Sequence, residues 1–166
     1  MKAILERRSI RKYTDETVSD QDIKELLQAA MAAPSAGNQQ PWEFIVVNDR
    51  KILNKIPEVH PYSQMLKTAP LAIIVCGNLD KEMNKGYWVQ DCTAATENIL
   101  IEAQYKGLGA VWLGVYPREE RVKGLKKLFD LSENIIPLSI ISIGHPAEKK
   151  EPSDRYNPSV IHVNKW

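Results

Sequence analysis

Residues 87–106 constrain this chain more than any other stretch. They read as its longest helix, closed by Gly107, a residue suited to the turn past a helix end. Cys92, Ala94, Ala95, Ile99, Leu100, Ile101 and Ala103 spread around more than one face of that helix. A helix apolar on most sides is normally buried on most sides. A chain of 166 residues has room for one domain with a real core. In so small a domain, burial all round is easier at a subunit interface. The closing patch Val160, Ile161, Val163 and Trp166 would suit packing on a second copy, although a frayed terminus reads the same way.

Helical and strand patterns alternate along the rest of the chain. Residues 2–8 read as a short helix. Ser19 followed by Asp22 resembles a capping box, and Ile23, Leu26, Leu27, Ala30 and Met31 then share one helical face until Pro34 ends it. Residues 43–48, 71–76, 110–115 and 138–143 read as strands. Residues 50–56 and 62–68 read as short helices around Pro57 and Pro61. Pro117 is suited to opening a further helix that carries Val122, Leu125 and Phe129 on one face. No repeat, linker or low-complexity tract divides residues 1–166, so one domain is expected.

Composition removes several classes of function. Hydrophobic residues make up 43% and charged residues 26%, with a net charge of +1, which gives no reason to expect nucleic acid or an acidic membrane as a partner. The longest apolar runs are too short to span a bilayer, and the start of the chain lacks the apolar core of a signal peptide. Cys76 and Cys92 sit in apolar contexts, as expected of reduced core residues in a cytoplasmic protein. His60, His145 and His162 are scattered, with no metal or triad spacing, and there is no nucleophile elbow or P-loop.

Two clusters carry chemistry. The first, Arg7-Arg8-Ser9-Ile10-Arg11-Lys12-Tyr13, offers cations and a hydroxyl suited to a phosphate. A solvated basic helix end reads the same way. The second, Ala33 to Trp42, is a stiff loop with two prolines and the amides of Asn38, Gln39 and Gln40. Such amides can donate to and accept from the edge of a planar heterocycle. Together they suggest a phosphorylated heterocyclic cofactor. Gly107-Leu108-Gly109 through Gly114 is not a dinucleotide fingerprint, because a helix precedes it, a strand follows it and the spacing is wrong.

Arg7-x-Ser9-x-Arg11, then Pro34-Ser35-x-x-Asn38-x-Gln40-Pro41-Trp42, then Gly107-Leu108-Gly109-x-x-Trp112-Leu113-Gly114, resembles the FMN-dependent nitroreductase family in order and spacing. The resemblance runs over essentially the whole chain. It implies an α+β, nitroreductase-like fold: a central, mostly antiparallel sheet of four to five strands flanked by helices, in an intertwined homodimer with FMN at the interface. It implies that Arg7, Ser9 and Arg11 hold the FMN phosphate, with Arg8 as a further candidate or a solvated neighbour. Lys150 and Arg155, after the last strand, are candidates for the same phosphate. Pro34, Ser35 and Ala36 would line the flavin, with Asn38 touching it or capping backbone groups. Trp112, Leu113, Gly114 and Val115 would lie beside the ring mainly through their main chain. Gln64 would reach the pyrimidine edge, and Trp42 belongs to the core. Some relatives carry an acid where this chain has Gly114, which removes a side-chain carboxylate from the ring and widens the pocket. Tyr62, Tyr87 and Trp88 are candidate lids or core residues.

The implied reaction is ping-pong turnover. NAD(P)H delivers hydride to the flavin, leaves, and is replaced by a nitroaromatic, a quinone or a similar electron-poor acceptor. The cofactor carries the chemistry, so no catalytic side chain is expected. Other readings of the same scaffold are flavin fragmentation, reductive dehalogenation, a non-turnover FMN-binding module for storage or sensing, and a structural dimer that has lost its cofactor.

Overall fold

A computed structural model describes residues 1–166. Four strands, β1 (Trp42–Val47), β2 (Leu71–Asn78), β3 (Gly109–Gly114) and β4 (Ile135–Gly144), form one sheet in the order β1-β2-β4-β3, with every neighbouring pair antiparallel. The expected four- to five-stranded antiparallel sheet is thus present with four strands from this chain. The helices are α1 (Lys2–Glu6), α2 (Asp20–Met31), α3 (Arg50–Val59), α4 (Trp88–Tyr105) and α5 (Glu119–Phe129).

Side chains alternate across the strands, so each face of the sheet builds its own core. Leu71, Ile73, Val75, Ile141 and Ile143 meet α2 and α4 on one face. Ala72, Ile74, Cys76, Val111, Leu113 and Ile140 meet α3 and α5 on the other. No helix is long and apolar enough to cross a membrane. Cys76 and Cys92 are buried free thiols, and burial pushes both well above the usual cysteine range.

The Asp22 amide donates to the Ser19 hydroxyl at 3.0 Å, capping α2, and that hydroxyl donates to the Asp22 carboxylate at 2.6 Å. Leu26 and Ala30 are fully buried, but Met31 is exposed because the helix ends there, beyond the edge of the core. Helix α4 buries Cys92, Ala95, Ile99, Leu100 and Ala103 as its pattern implied, together with Asp91 and Thr96. Gly107 ends it at φ +75°, a conformation that glycine adopts without a steric penalty.

Four boundaries differ from the sequence reading, each at or beside a proline. Helix α3 continues through Pro57 to Val59, since Leu53, Ile56 and Pro57 are all buried and packing outweighs one lost hydrogen bond. The expected helix at 62–68 shrinks to a single 3-10 turn over Gln64–Lys67. Pro117 does not open α5. It precedes the helix by two residues, and Glu119 and Glu120 form the first turn, where acids complement the dipole. Strand β4 starts earlier than expected and contains Pro137. It sits at a bulge, where pairing jumps from Val75↔Ser139 to Cys76↔Pro137 and skips Leu138.

Candidate cofactor site

The segment after α1 does not enter the sheet as a strand. It is pinned along the start of β3 by the Ile10 amide donating to the Ala110 carbonyl at 3.0 Å, and along residues 145–147 by Thr14 donating to His145 and Ala147 donating to Lys12. Gly109 makes this possible. A Cβ there would stand 2.6 Å from Ile10 Cγ2, so only glycine lets the segment lie this close. Tyr13 is buried beneath it, with its hydroxyl within hydrogen-bond distance of the Ile10 carbonyl (2.7 Å) and the Ser142 carbonyl (3.1 Å), and burial pushes its phenol well above the usual tyrosine range.

This docking gathers residues far apart in sequence. Arg7, Arg8, Ser9, Arg11, Lys150 and Arg155 line one cleft of about 250 Å³. Lys150 Nζ donates to the Ser9 carbonyl at 2.6 Å, and Glu148 accepts the Arg11 amide at 2.6 Å. The Arg11 amide first, and then the Lys150 ammonium beside it, hold the Glu148 carboxyl below the usual glutamate range. Arg7 pairs with Glu97 of α4 at 3.3 Å, and Lys150 pairs with Glu148 at 3.3 Å. Arg8, Arg11 and Arg155 form no ion pair with any carboxylate. Arg8 and Arg155 instead both donate to the Ser153 hydroxyl, at 2.7 and 3.0 Å. The Nε of Arg8 is buried without a partner. Guanidinium groups brought together over a neutral hydroxyl, one with an orphaned donor, have the chemistry that suits a multiply charged anion.

The loop from Pro34 to Pro41 is built at another place on α4. Asp91, buried in the first turn, accepts the Ala36 amide at 2.9 Å and the Gln39 side-chain amide at 2.7 Å. Gln39 Oε1 in turn accepts the Asn84 amide at 2.9 Å. Ser35 accepts the Gln40 amide, and Asn38 accepts from the Gln40 side chain, so both organise the loop itself. Asp91 and Glu97 are six residues apart, roughly 9 Å along the helix. Helix α4 therefore carries both the loop and the Arg7 end of the cationic cleft. Within one chain, residues 34–38 do not line that cleft.

The open edge of β3 is the third part. In its pairing with β4, the Val115 amide donates to Leu138. Antiparallel alternation then turns the amides of Gly114 and Trp112 away from β4, toward the edge. Leu113 and Val115 bury their side chains, and Trp112 is half-buried. A methyl group on Gly114 would meet no atom of the chain within 4 Å. Trp42 and Trp88 belong to the core, with Trp88 packed edge-on against Tyr116 at 4.9 Å. Tyr62 and Tyr87 are exposed. Gln64 is exposed as well and only approaches the Pro61 carbonyl, at 3.4 Å.

Sequence reasoning missed Asp91, His60 and Arg121 as site-shaping residues, and it read Gln39 as an amide for a heterocycle edge, whereas Gln39 bonds Asp91 and Asn84. Asp91 had one signal, a lone acid among the small and apolar residues of α4. No cluster of three His, Cys, Asp or Glu side chains is placed to hold a metal ion.

The nitroreductase family model matches residues 4–59 and 57–145. The chain is 52% identical over 166 residues to a protein of Methanothermobacter thermautotrophicus provisionally named NADH dehydrogenase/NAD(P)H nitroreductase, covering all of this chain and 87% of that one. Among solved structures, an FMN-dependent nitroreductase of Clostridium difficile superposes with a TM-score of 0.92 at 30% identity, over 100% of both chains. A protein of Desulfovibrio desulfuricans provisionally named nitroreductase, solved in complex with FMN, superposes with a TM-score of 0.87 at 31% identity, over 99% of this chain and 96% of that one. An α+β sheet of this topology, with a cationic cleft at its edge, defines the fold class. The chain belongs to the nitroreductase family.

Proposed function

We propose that residues 1–166 form one FMN-binding domain that works as a cytoplasmic homodimer, takes electrons from NAD(P)H and reduces nitroaromatics, quinones or related electron-poor acceptors in ping-pong fashion. The observation that carries this reading is the convergence of Arg7, Arg8, Arg11, Lys150 and Arg155 on one cleft, three of them without a carboxylate partner. A phosphate monoester supplies the charge and acceptor oxygens that Arg8 Nε and its neighbours leave unmatched. The relatives named as FMN-dependent, or solved with FMN, support the flavin as the bearer of that phosphate.

When bound, FMN supplies the hydride chemistry. The protein's part is to bind and orient it. The basic cleft holds the phosphate, and the outward Gly114 amide offers a donor at the β3 edge. The loop 34–38 lies outside the cleft of its own chain, which suits a wall contributed by a second copy. Tyr156, Val160, Ile161, Val163 and Trp166 are all exposed, an apolar tail fitted to packing on that copy.

An absorbance spectrum of the purified protein after FMN addition, followed by NADH or NADPH without oxygen, tests the proposal. The expected result is a bound flavin that bleaches and recovers when a nitroarene or quinone is added. A bound flavin that does not bleach would make the chain a non-turnover flavin module. Failure to take up FMN would overturn the reading.

A further inference from the structure

The end of β3 carries a device that the phosphate cleft does not explain. Two donors from different elements converge on the Gly114 carbonyl: His60 Nε2, just past α3, at 3.0 Å and Arg121 of α5 at 2.6 Å. A carbonyl only accepts, so His60 carries its proton on Nε2. Its Nδ1 is then a bare acceptor, buried without a partner in a residue that is 1% exposed. A buried unmatched nitrogen is costly, and an apolar residue would fill the space without that cost. The arrangement therefore serves the bond to Gly114. Desolvation favours the neutral ring and holds the His60 imidazole below the usual histidine range, an effect to which the Arg121 charge adds.

Arg121 pairs with no carboxylate. Its guanidinium lies 5.4 Å over the exposed Tyr62 ring, and one N–H is spent on Gly114. The nearby Lys123 is already matched by Glu119 at 3.1 Å. Gly114 has no side chain to restrict its backbone. Two bonds to its carbonyl fix that backbone, and with it the amide that alternation turns to the open edge.

We infer that His60 and Arg121 are positioning residues for the redox step, His60 by fixing the Gly114 backbone as a neutral donor and Arg121 by setting one unmatched positive charge beside it. The inference rests on the reading that the chain binds FMN. A fixed cation and an outward amide at one edge both favour the negative charge that a bound flavin gains on reduction.

Two measurements test it. In the protein without cofactor, His60→Ala is expected to speed hydrogen exchange of the Val115 amide, which shares a peptide unit with the Gly114 carbonyl and donates to Leu138, at least tenfold. His60→Met, closer in volume and without an N–H donor, replaces it if the alanine variant does not fold. Unchanged Val115 exchange would overturn the positioning role, whether or not FMN binds. In the FMN-loaded protein, Arg121→Gln is expected to retain the flavin while lowering its reduced-to-oxidised ratio at fixed potential about tenfold, a shift of about 30 mV to more negative potential. Arg121→Lys, which keeps the charge, is expected to recover most of that shift. An unchanged potential in Arg121→Gln, or equal shifts in both variants, would overturn the charge role. Wild-type protein that takes up no FMN would instead sink the proposed function, and the exchange experiment would still stand.

Discussion

The Asp91 carboxylate holds the Ala36 amide at 2.9 Å and the Gln39 side chain at 2.7 Å, so one buried acid of α4 shapes the whole loop between α2 and β1. Asp91→Ala is expected to cost about 1–3 kcal/mol, the scale for removing a charged hydrogen-bond partner from a buried group. Asp91→Asn should cost less, because its carbonyl can still accept from Ala36. Urea denaturation measures both, and an unchanged midpoint in Asp91→Ala would mean that the loop holds its own shape.

Arg7→Ala is expected to weaken FMN binding by about 1–3 kcal/mol. Arg8→Ala and Arg155→Ala should do the same and also reduce the salt dependence of binding, since these two have no carboxylate to fall back on. Titration calorimetry at two salt concentrations checks this. Affinity that is unaltered in all three variants would remove the cleft from the flavin site.

Lys106, in the turn that ends α4, bridges Asp22 and Glu25 in the first turns of α2. Its ammonium holds both carboxyls below their usual ranges, with Ser19 the larger influence on Asp22. A depressed carboxyl contributes stability above its unfolded value, about pH 4, and that contribution fades as pH falls through the lower folded value. Thermal stability should therefore be flat near neutrality and fall in acid. Lys106→Met should be less stable at pH 7 and lose less between pH 6 and pH 3. Parallel pH profiles for the two proteins would show that the cluster is uncoupled from folding.

Gly109→Ala is expected to destabilise by about 1–3 kcal/mol, as overpacking does, because the new methyl would strike Ile10. It should also loosen the cationic segment and weaken FMN binding. Adding Ile10→Ala should recover affinity in part, since the two residues touch and their effects should not add. Purely additive losses would show that the contact does not place the segment.

Deleting residues 160–166 is expected to weaken dimerisation, read by sedimentation at falling protein concentration. A truncated chain that stays fully dimeric would remove the tail from the interface.

Much of this fold is legible in the residues because local signals agree with burial. The Ser19 cap, the Gly107 stop and the predominantly apolar runs of β2 and β4 each point to one structure. The reading failed at Pro57, Pro117 and Pro137, where tertiary packing decides whether a proline ends an element or is absorbed by it. The cationic residues were legible as types, but not as a cluster. Their meeting depends on Ile10 lying over Gly109, a contact that no local pattern encodes. Asp91 and His60 were invisible for a related reason: each acts through a main-chain group on a distant element.

The basic cleft joins two stretches separated by 141 residues, through Ser9 and Lys150. An anion bound across them is a reversible staple on a loop of nearly the whole chain. Closing so long a loop is among the larger entropy terms a single contact can address, although the term grows only with the logarithm of length. Occupancy and global stability are therefore linked: an anion that binds only the folded chain adds to the bonds already joining the two basic stretches, and melting temperature reports how full the site is.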